Sequence, residues 1–372
     1  MKLLKIKASN FKNCIDDFTI DFIPKSRKTA EDKEYELQEI ADGLYVYSTG
    51  AFIGKNASGK TSAIELMDCC YSILSDFRVE NKHYSFENVM LEIVFYHDGN
   101  VYKYKTVLMQ DKSLQNKALF TEQKIWVKEY LKSYVNKIYD DDTYTEFELN
   151  GELPEDASAV FFVLKKRKTQ AIYFGCEGEG FDSYQLSFKA LNNYGISSDV
   201  VENIIRIFDE NISKIEMLDE HNYKLTYSDK TEIKSDKELF YFLSSGTTKG
   251  MLLYIMVFAS LKNGFDLIID EVENHFHKTL VENMISLYKD KSVNQKNASL
   301  YFTTHYSEIL DLFNRQDNIW ICKADKRVCL ENMYGTYNVR PELLKSKQFY
   351  NNVFDTAVNY SELMSLKRKL KK

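Results

Sequence analysis

The chain has 372 residues, 44% hydrophobic and 28% charged, with a formal net charge of −6. That length buries a large core and admits one or two domains. The acidic balance excludes a global basic field that would draw the protein onto nucleic acid, so any such contact has to be local, and 26 tyrosines and 24 phenylalanines against three prolines argue against long disordered stretches.

Residues 1–7 alternate like a strand rather than a signal peptide. Leu4, Ile6 and Ala8 alternate with Lys5 and Lys7, which predicts a half-buried first strand. A turn follows at 10–13, a second strand at 15–23, and a polar connection or short helix at 24–39. The apolar stretches 44–47 and 51–53 predict a third strand. Directly after it, Gly54-Lys55-Asn56-Ala57-Ser58-Gly59-Lys60-Thr61-Ser62 fits G-x-x-x-x-G-K-[ST], and a helix is predicted to about residue 77. Strand, glycine-bearing loop, helix is the context of a phosphate site. Gly54 and Gly59 let the backbone curl so that its N–H groups face an anion, and the helix start adds positive charge. In that arrangement Lys60 reaches the β- and γ-phosphates, and the Thr61 hydroxyl ligates Mg²⁺.

A strand at 89–96, a turn at 97–100 and a return at 101–109 make a hairpin, and a further strand is predicted near 124–130. Beyond it the signals mix: helices near 157–164 and 199–210, and a hairpin at 215–226. With the phosphate loop before it, this predicts one nucleotide-binding fold in two parts, 1–109 and 237–355, an inserted lobe at 110–236, and a basic tail at 356–372. Lys165-Lys166-Arg167-Lys168 is the densest internal basic run and reads as a solvated loop ahead of a phosphate-backbone contact.

Three later motifs presuppose a nucleotide. Ser244-Ser245-Gly246-Thr247 precedes the longest apolar run, 251–261, which is too short to span a bilayer and reads as a buried helix. Its hydroxyls and glycine at a helix start make an anion cradle. The strand at 265–269 delivers Asp270 and Glu271 to the edge of a parallel sheet, Asp270 suited to Mg²⁺ and Glu271 to polarising the attacking water. A second buried strand, 298–304, ends in hydroxyls and His305, placed to bond the γ-phosphate and the lytic water. His275 and His277 have no third metal ligand and read as surface or packing residues. The six cysteines form neither C-x-x-C nor a zinc spacing; they read as free thiols of a reducing, cytoplasmic setting.

Together the segments 54–61, 243–247, 267–271 and His305 resemble the ABC-type ATPase heads of the SMC, RecF and OLD group. They are most like the compact ATPases of OLD-type and abortive-infection phage-defence systems. Ala8-Ser9-Asn10-Phe11-Lys12, Ile269-Asp270-Glu271-Val272-Glu273 and Asp317-Asn318-Ile319-Trp320 look like further pieces of that group's core. The departures are Lys278 in place of a proline, Leu-Ser-Ser-Gly-Thr in the signature, and no assignable Q-loop glutamine beyond the candidates Gln110 and Gln123. The resemblance implies an α/β fold, a P-loop head with a mixed β-sheet core. It also implies ATP and Mg²⁺ as ligands, and a homodimer or higher oligomer in which one copy's signature segment caps the nucleotide of another. The implied role is a sensor or regulatory subunit controlling a separate effector, a nuclease or toxin, with no membrane partner. Two other readings stand beside it. One is a RecF-like ATPase that binds nucleic acid. The other is a nuclease in the inserted lobe, with Asp140-Asp141-Asp142 and Glu177-Gly178-Glu179 as its acids.

Overall fold

The structure, a computed structural model, describes residues 1–111, 117–175, 183–219, 221–228, 230–274, 277–337, 339–340, 343–356 and 360–370, with 183–188, 198, 236, 240, 245, 360 and 362–363 by backbone alone. The alternating N-terminus forms β1 (Lys2–Ser9), with Leu4, Ile6 and Ala8 buried. It pairs antiparallel with β2 (Phe18–Asp21). β2 is shorter than the predicted 15–23, because Cys14 bridges to Val328 and Asp17 turns with positive φ. In the polar stretch, α1 (Ala30–Tyr35) starts at a capping box between Thr29 and Asp32. β3 (Leu37–Ala41) and β4 (Leu44–Tyr47) make a two-stranded ribbon. β5 (Thr49–Ile53) leads into the glycine loop and α2 (Lys60–Asp76). β6 (Val89–His97) and β7 (Asn100–Gln110) form the predicted hairpin. β8 (Ala118–Glu129) and β9 (Thr145–Glu146) extend it into an antiparallel sheet ordered β2-β1-β6-β7-β8-β9.

The stretch 110–236, expected as one inserted lobe, is spread over three places. β8 and β9 belong to the first sheet, because Phe120 and Ile125 share a core with β1 and β6. α3 (Phe161–Leu164) is a single turn where 157–164 was expected to be helical. β10 (Ala171–Phe174) lies parallel to a strand of the central sheet, its side chains half-buried at the sheet edge. Only α4 (Ser183–Tyr194), α5 (Ser198–Phe208) and the meander β11 (Ile212–Met217), β12 (Asn222–Tyr227) and β13 (Lys230–Ser235) stand outside both large sheets.

α6 (Asp236–Phe242) and α7 (Ser245–Asn263) follow; α7 is the predicted buried helix and stops at Gly264. Then come β14 (Asp266–Ile269), α8 (Lys278–Lys289), β15 (Leu300–Thr304), β16 (Ile319–Ala324), β17 (Val328–Asn332), α9 (Met333–Thr336), α10 (Lys345–Tyr350) and α11 (Tyr360–Leu370). The central sheet has the order β10-β14-β15-β5-β16-β17, parallel but for β17. β5, buried at every residue, sits between β15 and β16. Its side chains alternate between two cores. Ala51 and Ile53 join Ile269 and Phe302 under α7 and α8, while Phe52 joins Ile268, Tyr301 and Trp320 under α2 and the first sheet. Phe52 stacks on Trp320 with ring centroids 4.8 Å apart. Each such fully buried side chain stabilises the sheet by about 1.5–3 kcal/mol.

A buried charge network pins the polar stretch 24–36 beside the start of β16. Arg315 reaches Asp317 Oδ1 at 2.8 Å, Asp317 Oδ2 at 2.6 Å and Asp32 Oδ2 at 2.8 Å, and Lys289 reaches Glu36 Oε1 at 2.8 Å. Burial alone would push the Asp317 carboxyl up, but the Arg315 guanidinium outweighs it and holds the pKa below the ordinary value. No helix among the described residues is long and apolar enough to cross a membrane. The five described cysteines are free, and Cys176 lies outside the described residues.

Candidate functional site

In a parallel sheet every strand delivers its end to the same edge, where ligands of α/β folds bind. β5, β14 and β15 end together here: Ile53 is in register with Thr304, and Ile269 with Phe302. Ala57 and Gly59 turn the loop after β5 with φ of +60° and +90°. At Gly59, the N-cap of α2, the backbone strains any L-residue, and a Cβ would run into the Val328 side chain. A Cβ at Gly54 would run into Ser58 Oγ and the Cys322 carbonyl. Gly59 is therefore required by contact as well as by torsion, and Gly54 by contact alone. The Ser58 hydroxyl is buried and, among the described residues, has no hydrogen-bond partner. An orphaned hydroxyl in an amide-rich loop at a helix start fits an anion with many acceptor oxygens.

Lys60 is 5% exposed. Its ammonium donates to the carbonyls of Gly54 at 3.2 Å and Lys55 at 3.3 Å, and stands 3.5 Å from His305 Nδ1. Burial lowers its pKa, and the neighbouring Glu271, Glu273 and Asp270 oppose that shift. Thr61 Oγ1 donates to Asp270 Oδ2 at 2.9 Å. The Thr303 hydroxyl donates to Asp270 Oδ1 at 2.5 Å and accepts the Glu271 N–H at 2.6 Å. Glu271 has a left-handed backbone, φ +49°. Its Oε1 lies 3.9 Å from His305 Nε2, and its Oε2 accepts from Asn274 Nδ2. The His305 N–H donates to Glu273 Oε1.

Residues 56–62 with Glu271, Asn274, His305 and Val328 line a cavity of about 810 Å³. A second cavity of about 560 Å³ shares Thr61 and Glu271 with it, adds Asp270, and continues past Glu65, Asp68, Tyr84 and Tyr173. Gly54 is buried and Lys55 exposed, and neither lines either cavity. The hydroxyl of Thr61 and the carboxylate of Asp270 are hard oxygen donors side by side, the donor chemistry Mg²⁺ takes.

The 244–247 segment lines neither cavity. Ser244 caps α7, its Oγ accepting the Thr247 N–H at 3.0 Å and lying 2.8 Å from Thr247 Oγ1. Ser244 and Gly246 are exposed, Thr247 is buried, and the Ser245 side chain lies outside the described residues. Neither Q-loop candidate lines either cavity. Gln123 accepts from Tyr104 Oη at 2.6 Å and the Ala159 N–H at 2.6 Å, and Gln110 donates to the Lys117 carbonyl at 3.2 Å. Both are occupied within or beside the first sheet, away from the cavity walls. His277 caps α8 by accepting the Thr279 N–H at 3.4 Å, while His275 and residues 177–179 lie outside the described residues. Asp141 pairs with Lys103, and no group of three metal-ligating side chains occurs among the described residues. Lys165 to Lys168 are exposed.

Sequence reasoning missed Thr303, Glu273, Asn274 and Val328. Thr303 stands in a strand already read as ending in hydroxyls, and Glu273 in the acidic run after Asp270. Val328 carries no local signal, because its contact with Gly59 comes through β17.

No family model matches the chain, and no curated protein matches it. Among solved structures it is similar to the SMC head in the crystal structure of SmcHead bound to the C-winged helix domain of ScpA, at a TM-score of 0.48 and 11% identity, over 90% of this chain and 99% of that one.

Proposed function

We propose that this protein binds and hydrolyses ATP, and that two copies close on the nucleotide. The carrying observation is the convergence of Lys60, Thr61, Glu271 and His305 on one cavity edge, with Asp270 bonded to Thr61 beside them. The loop amides, the Ser58 hydroxyl and Lys60 bind the triphosphate, Lys60 exchanging its carbonyl partners for phosphate oxygens. Thr61 and Asp270 would hold Mg²⁺, which supplies positive charge against the phosphate oxygens. Glu271 accepts the proton of a water attacking the γ-phosphorus in line. As the water oxygen–phosphorus bond forms, the bond to the bridging oxygen breaks, releasing ADP and phosphate. His305 donates to the γ-phosphate oxygens as charge moves. The exposed Ser244 and Gly246 of the second copy cap the γ-phosphate, a contact ADP cannot offer, so ATP favours the closed dimer.

The finer reading is a regulatory ATPase of an anti-phage system that controls a separate effector. It rests on the motif resemblance to OLD-type and abortive-infection ATPases. Phosphate release from Mg–ATP by the purified protein tests the chemistry: Lys60→Ala should abolish nucleotide binding, and Glu271→Gln should keep binding while losing turnover. Nucleotide binding unaffected by Lys60→Ala would overturn the site. Plaque counts in cells carrying the gene with its neighbours test the role: protection should vanish with Glu271→Gln, and protection independent of both substitutions would remove the regulatory reading.

A further inference from the structure

We propose that Glu273 is a positioning residue for hydrolysis, holding His305 in place through its backbone; this rests on the ATPase reading above. Glu273 lies in the short 3-10 turn Val272–Asn274, between the proposed base and α8. One carboxylate oxygen accepts the N–H of His305, the first residue after β15. That bond joins two chain segments that are brought together only by the fold. The other oxygen is buried and has no partner among the described residues. A carboxylate half-satisfied in this way is costly to keep as mere packing, since an apolar residue would avoid leaving a buried polar atom unpaired.

The tie has a geometric consequence. Glu271 is fixed from the same turn by Asn274, and from β15 by the Thr303 hydroxyl. Adding Glu273 to His305 closes a loop of bonds: turn to β15 through Thr303, and β15 back to the turn through His305. The Glu271 carboxylate and the imidazole, 3.9 Å apart, are thereby held as one unit beside Lys60. Without the tie the imidazole can drift while the phosphate loop stays intact. A misplacement of about 1 Å can cost about 10²-fold in rate without touching substrate affinity.

The test is steady-state ATP hydrolysis with parallel nucleotide-binding measurements on the full chain. Glu273→Ala should lower kcat by about 10-fold or more with ATP affinity unchanged, and Glu273→Gln, which keeps the accepting oxygen, should restore most of it. Glu273→Asp, too short to reach, should resemble Glu273→Ala and guards against misfolding of the alanine variant. In a His305→Ala background, Glu273→Ala should add nothing further, whereas a general structural role would add its full cost. The proposal fails if Glu273→Ala and Glu273→Asp turn over like wild type, if Glu273→Gln is as impaired as Glu273→Ala, or if the double substitution is additive. Wild-type protein that hydrolyses no ATP would defeat the ATPase reading, and this inference with it. Wild-type turnover abolished by Glu271→Gln but indifferent to Glu273 defeats this inference alone.

Discussion

Thr303→Val isolates one hydroxyl at the centre of the site. Thr303 is fully buried, and its Oγ1 does two things at once: it donates to Asp270 at 2.5 Å and accepts the Glu271 N–H at 2.6 Å. Valine keeps the shape, so no cavity opens and the loss is purely polar. A buried group left unpaired costs about 1–3 kcal/mol, with bonds to charged groups at the upper end. Asp270 keeps its bond from Thr61, so the two losses should total about 2–4 kcal/mol, not the sum of two maxima. The denaturation midpoint should fall by the equivalent amount with an unchanged m-value. ATP turnover should drop as well, because Glu271 loses one of the bonds that hold its left-handed backbone. Thr303→Ser keeps the hydroxyl and should lose only about 1 kcal/mol for the missing methyl. A Thr303→Val midpoint within about 0.5 kcal/mol of wild type, the range of an ordinary surface substitution, together with normal turnover, would refute the bridge as an organising element.

Glu271→Gln should retain ATP, slow hydrolysis by about 10²-fold or more, and run as a larger species on size exclusion in ATP but not ADP. Gly59→Ala should destabilise the loop by at least about 1 kcal/mol from backbone strain alone and abolish nucleotide binding by calorimetry; the contact with Val328 means that adding Val328→Ala should recover part of the stability. Ser244→Arg, at an exposed position away from the cavity, should leave ATP binding by the monomer intact and prevent ATP-dependent association. In the buried network, the depressed Asp317 pKa means that its stabilisation is complete above about pH 4, the unfolded carboxyl value, and is lost as pH falls through the folded value. Asp317→Asn should flatten that acid limb. Arg315→Leu should cost about 3–5 kcal/mol at neutral pH, and the acid limb should shrink with it, because burial of Asp317 is then opposed only by the backbone N–H groups of Lys25 and Ser26.

The elements around the phosphate loop were legible because their signals are local. Gly54 to Thr61, the apolar strands before Asp270 and His305, and the apolar run 251–261 after Ser244 each declare themselves within about a dozen residues, the window in which periodicity is readable. The geometry joining them follows from one rule, that parallel strands end on one edge. The stretch 110–236 was illegible for the opposite reason. β8 looks like any half-buried strand, and nothing local states that its partner is β7 of the preceding hairpin rather than a strand of its own lobe. β10 is four residues long, and only its pairing with β14 gives it a place. Gln123 carried the right side chain for a phosphate sensor, but the Tyr104 hydroxyl and Ala159 amide that occupy it are tertiary neighbours. Glu273, by contrast, was in plain view beside Glu271; what was missing was its His305 partner across the sheet edge.

The position of β5 has a consequence for how the molecule comes into being. Thr49 finds its partner at Leu300, and Ala51 at Ile319, so the middle strand emerges from the ribosome long before either neighbour exists. Until then it is an apolar ribbon with two bare edges, the kind of surface that invites stray pairing and chaperone capture. Translation therefore reaches nucleotide competence late, and chains interrupted before β15 should be prone to aggregate and unable to retain ATP.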